Sequence, residues 1–406
     1  MPVFVSTTFL QGDEIGFFLL SYSFQRKFFM GGNIKTMVLS AFLAVFAMPS
    51  MAQQLDGDGF YRVQNVDTER YISIIDNTSY TQIATTSPDV SSLVTRKGFE
   101  NISGDPSTVF YIEYKGTRSS DDNKYYDLQG QGTDIYEISA HYLYIRYFSA
   151  YNYYRAWAEE SGQSFYISDE KGDYDPGYVS TNRSYKNWYI LPVSSTGDNY
   201  FGISPTVEAN GKYYATMYCG FPMQAISEGV KFYYICGVKN ETAYYKEIDG
   251  VVPAKTPVLI ECTSSDPSEN RVDMVTGSYT AISGNYLGGV MFHAFLNNHD
   301  VNATLYDEDT MRVLGTLSDG SIGFVKASAS DFEDEALPAN TAYLKVSSGE
   351  ADELPLDDYT NGISEVTLDT DNNAPVYSLS GIMISDTTDG LPKGVYIKNN
   401  KKVVIK

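Results

Sequence analysis

What most limits the fold is a period that is missing. No long stretch repeats apolar residues every three to four positions, as an amphipathic helix must. Instead, runs of four to eight β-branched and aromatic residues are broken by Gly, Asn, Asp and Pro. "GFYRVQNVDTERYISI" (residues 59–74) is typical. Phe60, Arg62 and Gln64 alternate with Tyr61, Val63 and Asn65, so one set faces each side of a strand. "NVDTER" then supplies a turn and "RYISI" returns as a second strand. Short strands with frequent turn signals predict an all-β protein. Only "YYRAWAEES" (residues 153–161) has the makings of a short helix, and strand pairing can override it. Tyrosine is the commonest aromatic, with 35 residues, which suits half-buried strands and equally suits a sugar-binding surface.

Turn signals and composition divide the chain. Residues 53–196 carry a cadence of an aromatic residue followed by Tyr-Ile in "STVFYIEY", "QSFYISDE" and "KNWYILPV". Residues 197–348 carry an echo: "VPAKTPVLIE" and "LPANTAYLKV" share Pro-Ala-x-Thr before an apolar strand. Residues 349–373 are acidic and turn-rich and read as a linker, and residues 374–406 form a basic tail. Limited proteolysis is expected to release two fragments of roughly 140 and 150 residues, ordinary domain sizes.

The opening hairpin, with Gly59, Tyr61, Val63 and Asn65 before Arg70-Tyr71-Ile72, resembles that of ricin-type β-trefoil modules. The Gln-x-Trp triplet of that family is approached by Gln163-Ser164-Phe165, while Trp188 follows Lys186. The resemblance implies a β-trefoil-like domain over residues 53–196. Residues 197–348 resemble β-sandwich modules of secreted and surface proteins of Gram-negative gut anaerobes, which implies a β-sandwich domain. The tail "VYSLSGIMI…LPKGVYIKNNKKVVIK" resembles the C-terminal sorting domain of type IX secretion cargo at Tyr377, Gly381, Gly394, Tyr396, Lys401 and Lys402. That implies an export or surface-attachment address, with export machinery as partner. From pattern alone, "VYSLSGIMI" reads as one strand and "KGVYIKNNKKVVIK" as a hairpin turning at Asn399-Asn400.

At the other end, Lys35 precedes an apolar run, Met37–Met48, that closes on Ser50-Met51-Ala52. Residues 30–52 thus read as a secretory signal cleaved between Ala52 and Gln53. The run is about 12 residues, short of the roughly 20 that span a bilayer, so no transmembrane span is expected in the mature chain. Residues 1–29 read as an over-extended N-terminus, with translation starting at Met30. The protein is expected outside the cell or on its outer surface, or in the periplasm if the tail is no export signal.

A net charge of −22 opposes nucleic acid as a partner. Acidic pairs such as Glu159-Glu160 and Glu333-Asp334-Glu335 sit in turn-like surroundings at neighbouring positions, where solvated surface is the ordinary role. His141, His293 and His299 show no zinc-site spacing, and no nucleophile motif occurs. No catalytic residue, cofactor or metal is therefore expected, and the protein is read as no enzyme. Cys219, Cys236 and Cys262 each end or interrupt an apolar run and read as core residues. What remains is noncatalytic recognition of a glycan or a host or surface polymer. "YFSAYNYYRAW" is the richest aromatic stretch, and Trp157, Tyr151, Tyr153 and Tyr154 are the ligand-binding candidates. The alternatives are a structural or adhesive surface protein with protein partners and, more remotely, a glycoside hydrolase or its accessory.

Overall fold

The structure is a computed structural model. It describes residues 55, 57–75, 93–134, 143–160, 163–170, 177–181, 184–293, 303–359, 375–378, 381–385, 390–398 and 401–405, all within one compact unit, Ala52–Lys406. The expected signal, the Ala52–Gln53 cleavage point and residues 1–29 lie outside the described residues.

The protein is all-β. Residues 59–192 supply β1 (Gly59–Asn65), β2 (Tyr71–Ile74), β3 (Leu93–Arg96), β4 (Phe110–Thr117), β5 (Lys124–Gly130) and β6 (Thr133–Asp134). They continue with β7 (Leu143–Phe148), β8 (Tyr153–Glu160), β9 (Gln163–Asp169), β10 (Gly177–Thr181) and β11 (Trp188–Pro192). Six of these close a ring of antiparallel pairs, β1–β4–β5–β7–β8–β11 and back to β1. The β2–β3 and β9–β10 hairpins join each other through β3 and β10. The ring is a closed six-strand barrel, and the two hairpins attach to it through β1 and β8. Closure leaves the ring no free edges.

Local chemistry explains the opening hairpin. Asn65 Oδ1 accepts from the backbone N–H of Asp67 (3.0 Å) and Thr68 (3.1 Å), and Asn65 N–H donates to Arg70 O at 2.8 Å. Alternation then fills the barrel: Val63, Phe110, Ile112, Leu128, Ile145 and Trp188 belong to one buried cluster. "YYRAWAEE" is strand β8, because Tyr154 and Ala156 enter that cluster while Tyr153, Arg155 and Trp157 take the other face. The one α-helix among the described residues is the single turn Phe99–Ile102.

Residues 207–358 form a second assembly: β12 (Val207–Ala209), β13 (Lys212–Met217), β14 (Met223–Ala225), β15 (Lys231–Lys239), β16 (Thr242–Glu247) and β17 (Val251–Val252). There follow β18 (Val258–Cys262), β19 (Val272–Met274), β20 (Leu287–Val290), β21 (Met311–Thr316), β22 (Ile322–Val325), β23 (Thr341–Lys345) and β24 (Glu353–Asp358). Ten strands run in the order β12-β13-β18-β15-β16-β24-β22-β21-β23-β20, and β17-β14-β19 make a small sheet. The long sheet curls until Ala342 N–H reaches Thr216 Oγ1 (3.1 Å) and Tyr218 N–H reaches Asn340 O (3.0 Å). The small sheet packs on it through Met223, Val252 and Val272 against Ile260, Val258 and Met217. The Pro-Ala-x-Thr echo is a repeated turn: Lys255 (φ 56°) and Asn340 (φ 59°) both take the left-handed conformation just before β18 and β23.

Two readings change. The acidic segment 349–373 does not begin as a linker, since Glu353–Asp358 is β24, parallel to β16 and antiparallel to β22. Its charge hides a period of two, in which Leu354 and Leu356 reach the core and Glu353, Asp357 and Asp358 stay exposed. In the tail, "VYSLSGIMI" is two short strands, β25 (Val376–Tyr377) and β26 (Met383–Ser385), because Gly381 (φ 82°) turns the chain. With β27 (Gly394–Lys398) and β28 (Lys401–Ile405) they form a sheet ordered β26-β25-β27-β28. Tyr396 is buried with its hydroxyl on Pro392 O (2.8 Å), Tyr377 and Gly394 are half-buried, and Lys401 and Lys402 lie on β28 opposite Lys398 and Ile397. Asn399 and Asn400, between the paired ends, lie outside the described residues.

The strands sort cleanly at residue 197, yet the cores merge across it. Val109, Phe60, Tyr111 and Val193 pack into the same cluster as Phe201, Phe221 and Val272. Gln131 is buried there, donating to Asn340 Oδ1 (2.6 Å) and accepting from Gly220 N–H (2.7 Å). Gly220 is required, because a Cβ would stand 2.0 Å from Gln131 O.

Candidate functional site

The turn between β4 and β5 and the turn between β7 and β8 stand together at one end of the barrel. Between them is a cleft of about 430 Å³, with Tyr126, Tyr147 and Tyr154 on its floor and Asp121, Asp122 and Arg146 among its polar walls. That volume falls in the range of small-ligand pockets.

Arg118 holds the first turn. Its backbone N–H donates to Asn123 O (2.8 Å), and its guanidinium donates to Asp121 Oδ1 (2.8 Å) and Glu159 Oε1 (3.2 Å). The same guanidinium lies 4.6 Å from the centre of the Tyr144 ring. The Arg118 hydrogen bond is the main reason the Asp121 carboxyl is held down at about 2, and it also lowers that of Glu159. A depressed carboxylate stabilises the fold fully above its unfolded value near 4 and loses that contribution as pH falls through the folded one. In an NMR titration Asp121 should therefore titrate near 2, and Arg118→Met should move its midpoint up toward the ordinary range near 4. An unchanged midpoint in the variant would show that Arg118 is not the clamp.

The second turn carries the aromatics. Tyr151 N–H donates to Phe148 O (3.0 Å), Asn152 takes φ 53°, and Tyr147 Oη donates to Asn152 Oδ1 (2.7 Å). Tyr151 is 72 % exposed and stacks on Tyr153, with ring centres 5.7 Å apart and planes 17° apart. Arg155 backs the pair, lying 5.4 Å over Tyr153 and 4.9 Å over Phe148, and Asn187 Oδ1 fixes its Nε–H at 2.9 Å.

The four aromatic candidates thus part company. Tyr151 is exposed and stacks on half-buried Tyr153, and neither ring lines the cleft, which their chain neighbours Ser149 and Tyr154 do. Tyr154 is buried in the barrel and contributes to the cleft floor, its hydroxyl pushed well above its ordinary value by burial. Trp157 is only 5 % exposed and offers no free ring. Alternation does turn it away from the barrel interior, but Tyr144 on β7 and Tyr166 on β9 pair across from it and lie 5.5 Å to either side. Its Nε1–H donates to Glu159 Oε1 at 3.1 Å. Asp121, Asp122, Arg146 and Tyr147 were not expected at a site. "SSDDN" signals a turn in the sequence, and nothing local places that turn beside residue 147.

Other chemistry is sparse. Cys219, Cys236 and Cys262 are free thiols, with burial pushing Cys219 and Cys262 up to about 12. Among the described residues no three His, Cys, Asp or Glu gather as metal ligands, and no helix is long and apolar enough to cross a membrane. Comparison with protein-family models, curated proteins and solved structures finds no match.

Proposed function

We propose that the protein is a noncatalytic binding protein, secreted or displayed at the cell surface, that recognises glycan at the end of its barrel. The observation that carries the reading is the Tyr151–Tyr153 stack, a large exposed ring held rigid beside a polar cleft. Such a face offers a sugar ring an apolar platform, and the neighbouring carboxylates and Arg146 offer partners to its hydroxyls. The ricin-type resemblance of the opening hairpin supports the same reading. The tail enters as an export or attachment address. Its edge strand β26 and the turn before it leave Ile382, Met383 and Ile384 exposed, a surface of the kind other chains cover.

A glycan array followed by titration tests the site. One shallow site should bind in the micromolar to millimolar range, about −8 to −4 kcal/mol. Tyr151→Ala should weaken binding about tenfold or more while leaving the melting temperature nearly unchanged, because the ring makes few core contacts. No binding at millimolar glycan, or equal binding by the variant, would remove the reading.

A further inference from the structure

The outer face of the β7–β8 hairpin carries a pairing that a sheet ordinarily avoids. Arg146 on β7 stands directly opposite Arg155 on β8. Like charges in that position repel and weaken the pairing. Aromatic pairs flank them on the same face, Phe148 opposite Tyr153 on the turn side and Tyr144 opposite Trp157 on the other. Both guanidiniums lie over the Phe148 ring, Arg146 at 5.4 Å and Arg155 at 4.9 Å from its centre.

A chain of net charge −22 had ample acid to relieve this repulsion, yet among the described residues neither arginine pairs with a carboxylate. Arg118, on the same side of the barrel, shows the usual outcome, with Asp121 and Glu159 as partners. Those two carboxylates are thereby taken, and Asp122 lines the same cleft as Arg146 without an ion pair to it. Arg155 is positioned by neutral acceptors instead. Its Nε–H donates to Asn187 Oδ1 (2.9 Å) and its Nη2 to Tyr153 Oη (3.1 Å), while Nη1 has no acceptor among the described residues and is open to solvent. Arg146 is exposed, and its contact is the Phe148 ring.

One solvated guanidinium selects nothing, because water serves it as well as a ligand does. Two at one sheet position differ, since an oxyanion between them meets both charges and removes their repulsion. The rings decide what carries that anion. Arg155 lies 5.4 Å over Tyr153, and Tyr153 stacks on exposed Tyr151, so the guanidinium pair adjoins the ring face offered to a sugar. A free anion engages the arginines alone and a neutral sugar the tyrosines alone. A sugar bearing an acid group engages both.

We infer that the glycan recognised at this end of the barrel is acidic, its sugars bearing carboxylate or sulfate, with Arg146 and Arg155 together holding the anionic group. The inference rests on the glycan reading above and adds the charge class of the ligand. The test is calorimetric titration of the full chain with trigalacturonate, sulfated maltotriose, unsubstituted maltotriose and sodium sulfate. The first two separate carboxylate from sulfate. At least one of them should bind in the millimolar range or tighter, about tenfold more tightly than maltotriose or sodium sulfate. Its affinity should fall as salt rises from about 0.05 to 0.5 M, because exposed charges are screened. Arg146→Gln should lose about tenfold of the acidic ligand, leave maltotriose unchanged and not lower the melting temperature, since it relieves a repulsion. Arg146→Lys should keep part of the affinity. Equal affinity for maltotriose, or an acidic preference that survives Arg146→Gln, would overturn the charge assignment and leave the glycan reading standing. Sodium sulfate binding as tightly as the oligosaccharides, with Tyr151→Ala without effect, would leave only a simple anion site and overturn both, as would no binding of any probe at about 10 mM.

Discussion

Trp188→Ala is expected to lower stability in a denaturant titration by about 3–5 kcal/mol, the usual cost of removing a buried aromatic ring. Trp188 is 1 % exposed, at the heart of the barrel cluster. It sits where β11 meets two neighbours, opposite Asn65 on β1 and Tyr154 on β8. Its Nε1–H donates to Ile167 O at 3.0 Å, which ties β9 to the barrel floor. Alanine would leave a cavity among Val63, Ile167 and Ile190 and an unmet carbonyl beside it. Trp188→Phe should cost less, since it fills most of the volume and loses only the N–H. A loss below about 1 kcal/mol for alanine, the range of peripheral sites, would show that the ring is not structural.

Arg62→Met should cost a similar amount, about 3–5 kcal/mol, by breaking a buried charged network. Arg62 is 0 % exposed and lies at the seam. Its guanidinium donates to Ser103 O (2.9 Å) and Thr108 Oγ1 (3.2 Å) on the barrel side, and to Asn199 Oδ1 (2.8 Å) and Tyr200 O (2.7 Å) at the start of the second half. Burial, partly offset by the nearby Asp105 charge, lowers its proton affinity to about 10, yet it remains charged at neutral pH, and the carbonyls around it help make its burial tolerable. Methionine keeps the length and leaves those acceptors unmet. The wild type should unfold in one calorimetric transition, because the halves share a core, and the variant should show a broadened or divided one. A single sharp transition with unchanged midpoint would show that the seam does not couple the halves.

That seam bears on the boundary near residue 197. Gly and Ser turn signals there mark where strands change sheets, but composition carries no sign that Phe60 and Tyr111 pack with Phe221. Alternation was legible in Phe60–Asn65, where Tyr61 and Val63 face the barrel core while Phe60 and Arg62 face the seam, and in "KNWYILPV", where Trp188 and Ile190 enter the barrel core. It was masked in Glu353–Asp358, where the outward residues are so acidic that the segment reads as solvated. It was also misleading at Trp157, where an outward ring was taken for an exposed one.

By itself the sequence determined the all-β class, the opening hairpin, the Asn65 turn and the turn echo before β18 and β23. These are properties of neighbours in the chain: period-two alternation, Asn and Gly at turns, and Pro before a strand. Tertiary structure alone decided which strands close the barrel and which rings stay open to solvent. Tyr144, Trp157 and Tyr166 lie on three strands, and their mutual cover exists only once those strands pair in register. Asp121 stands across a cleft from Tyr147, and Asn187 stands against Arg155, for the same reason. Burial and unmet charge depend on what the rest of the chain brings alongside, and that is fixed by long-range pairing rather than by any local pattern.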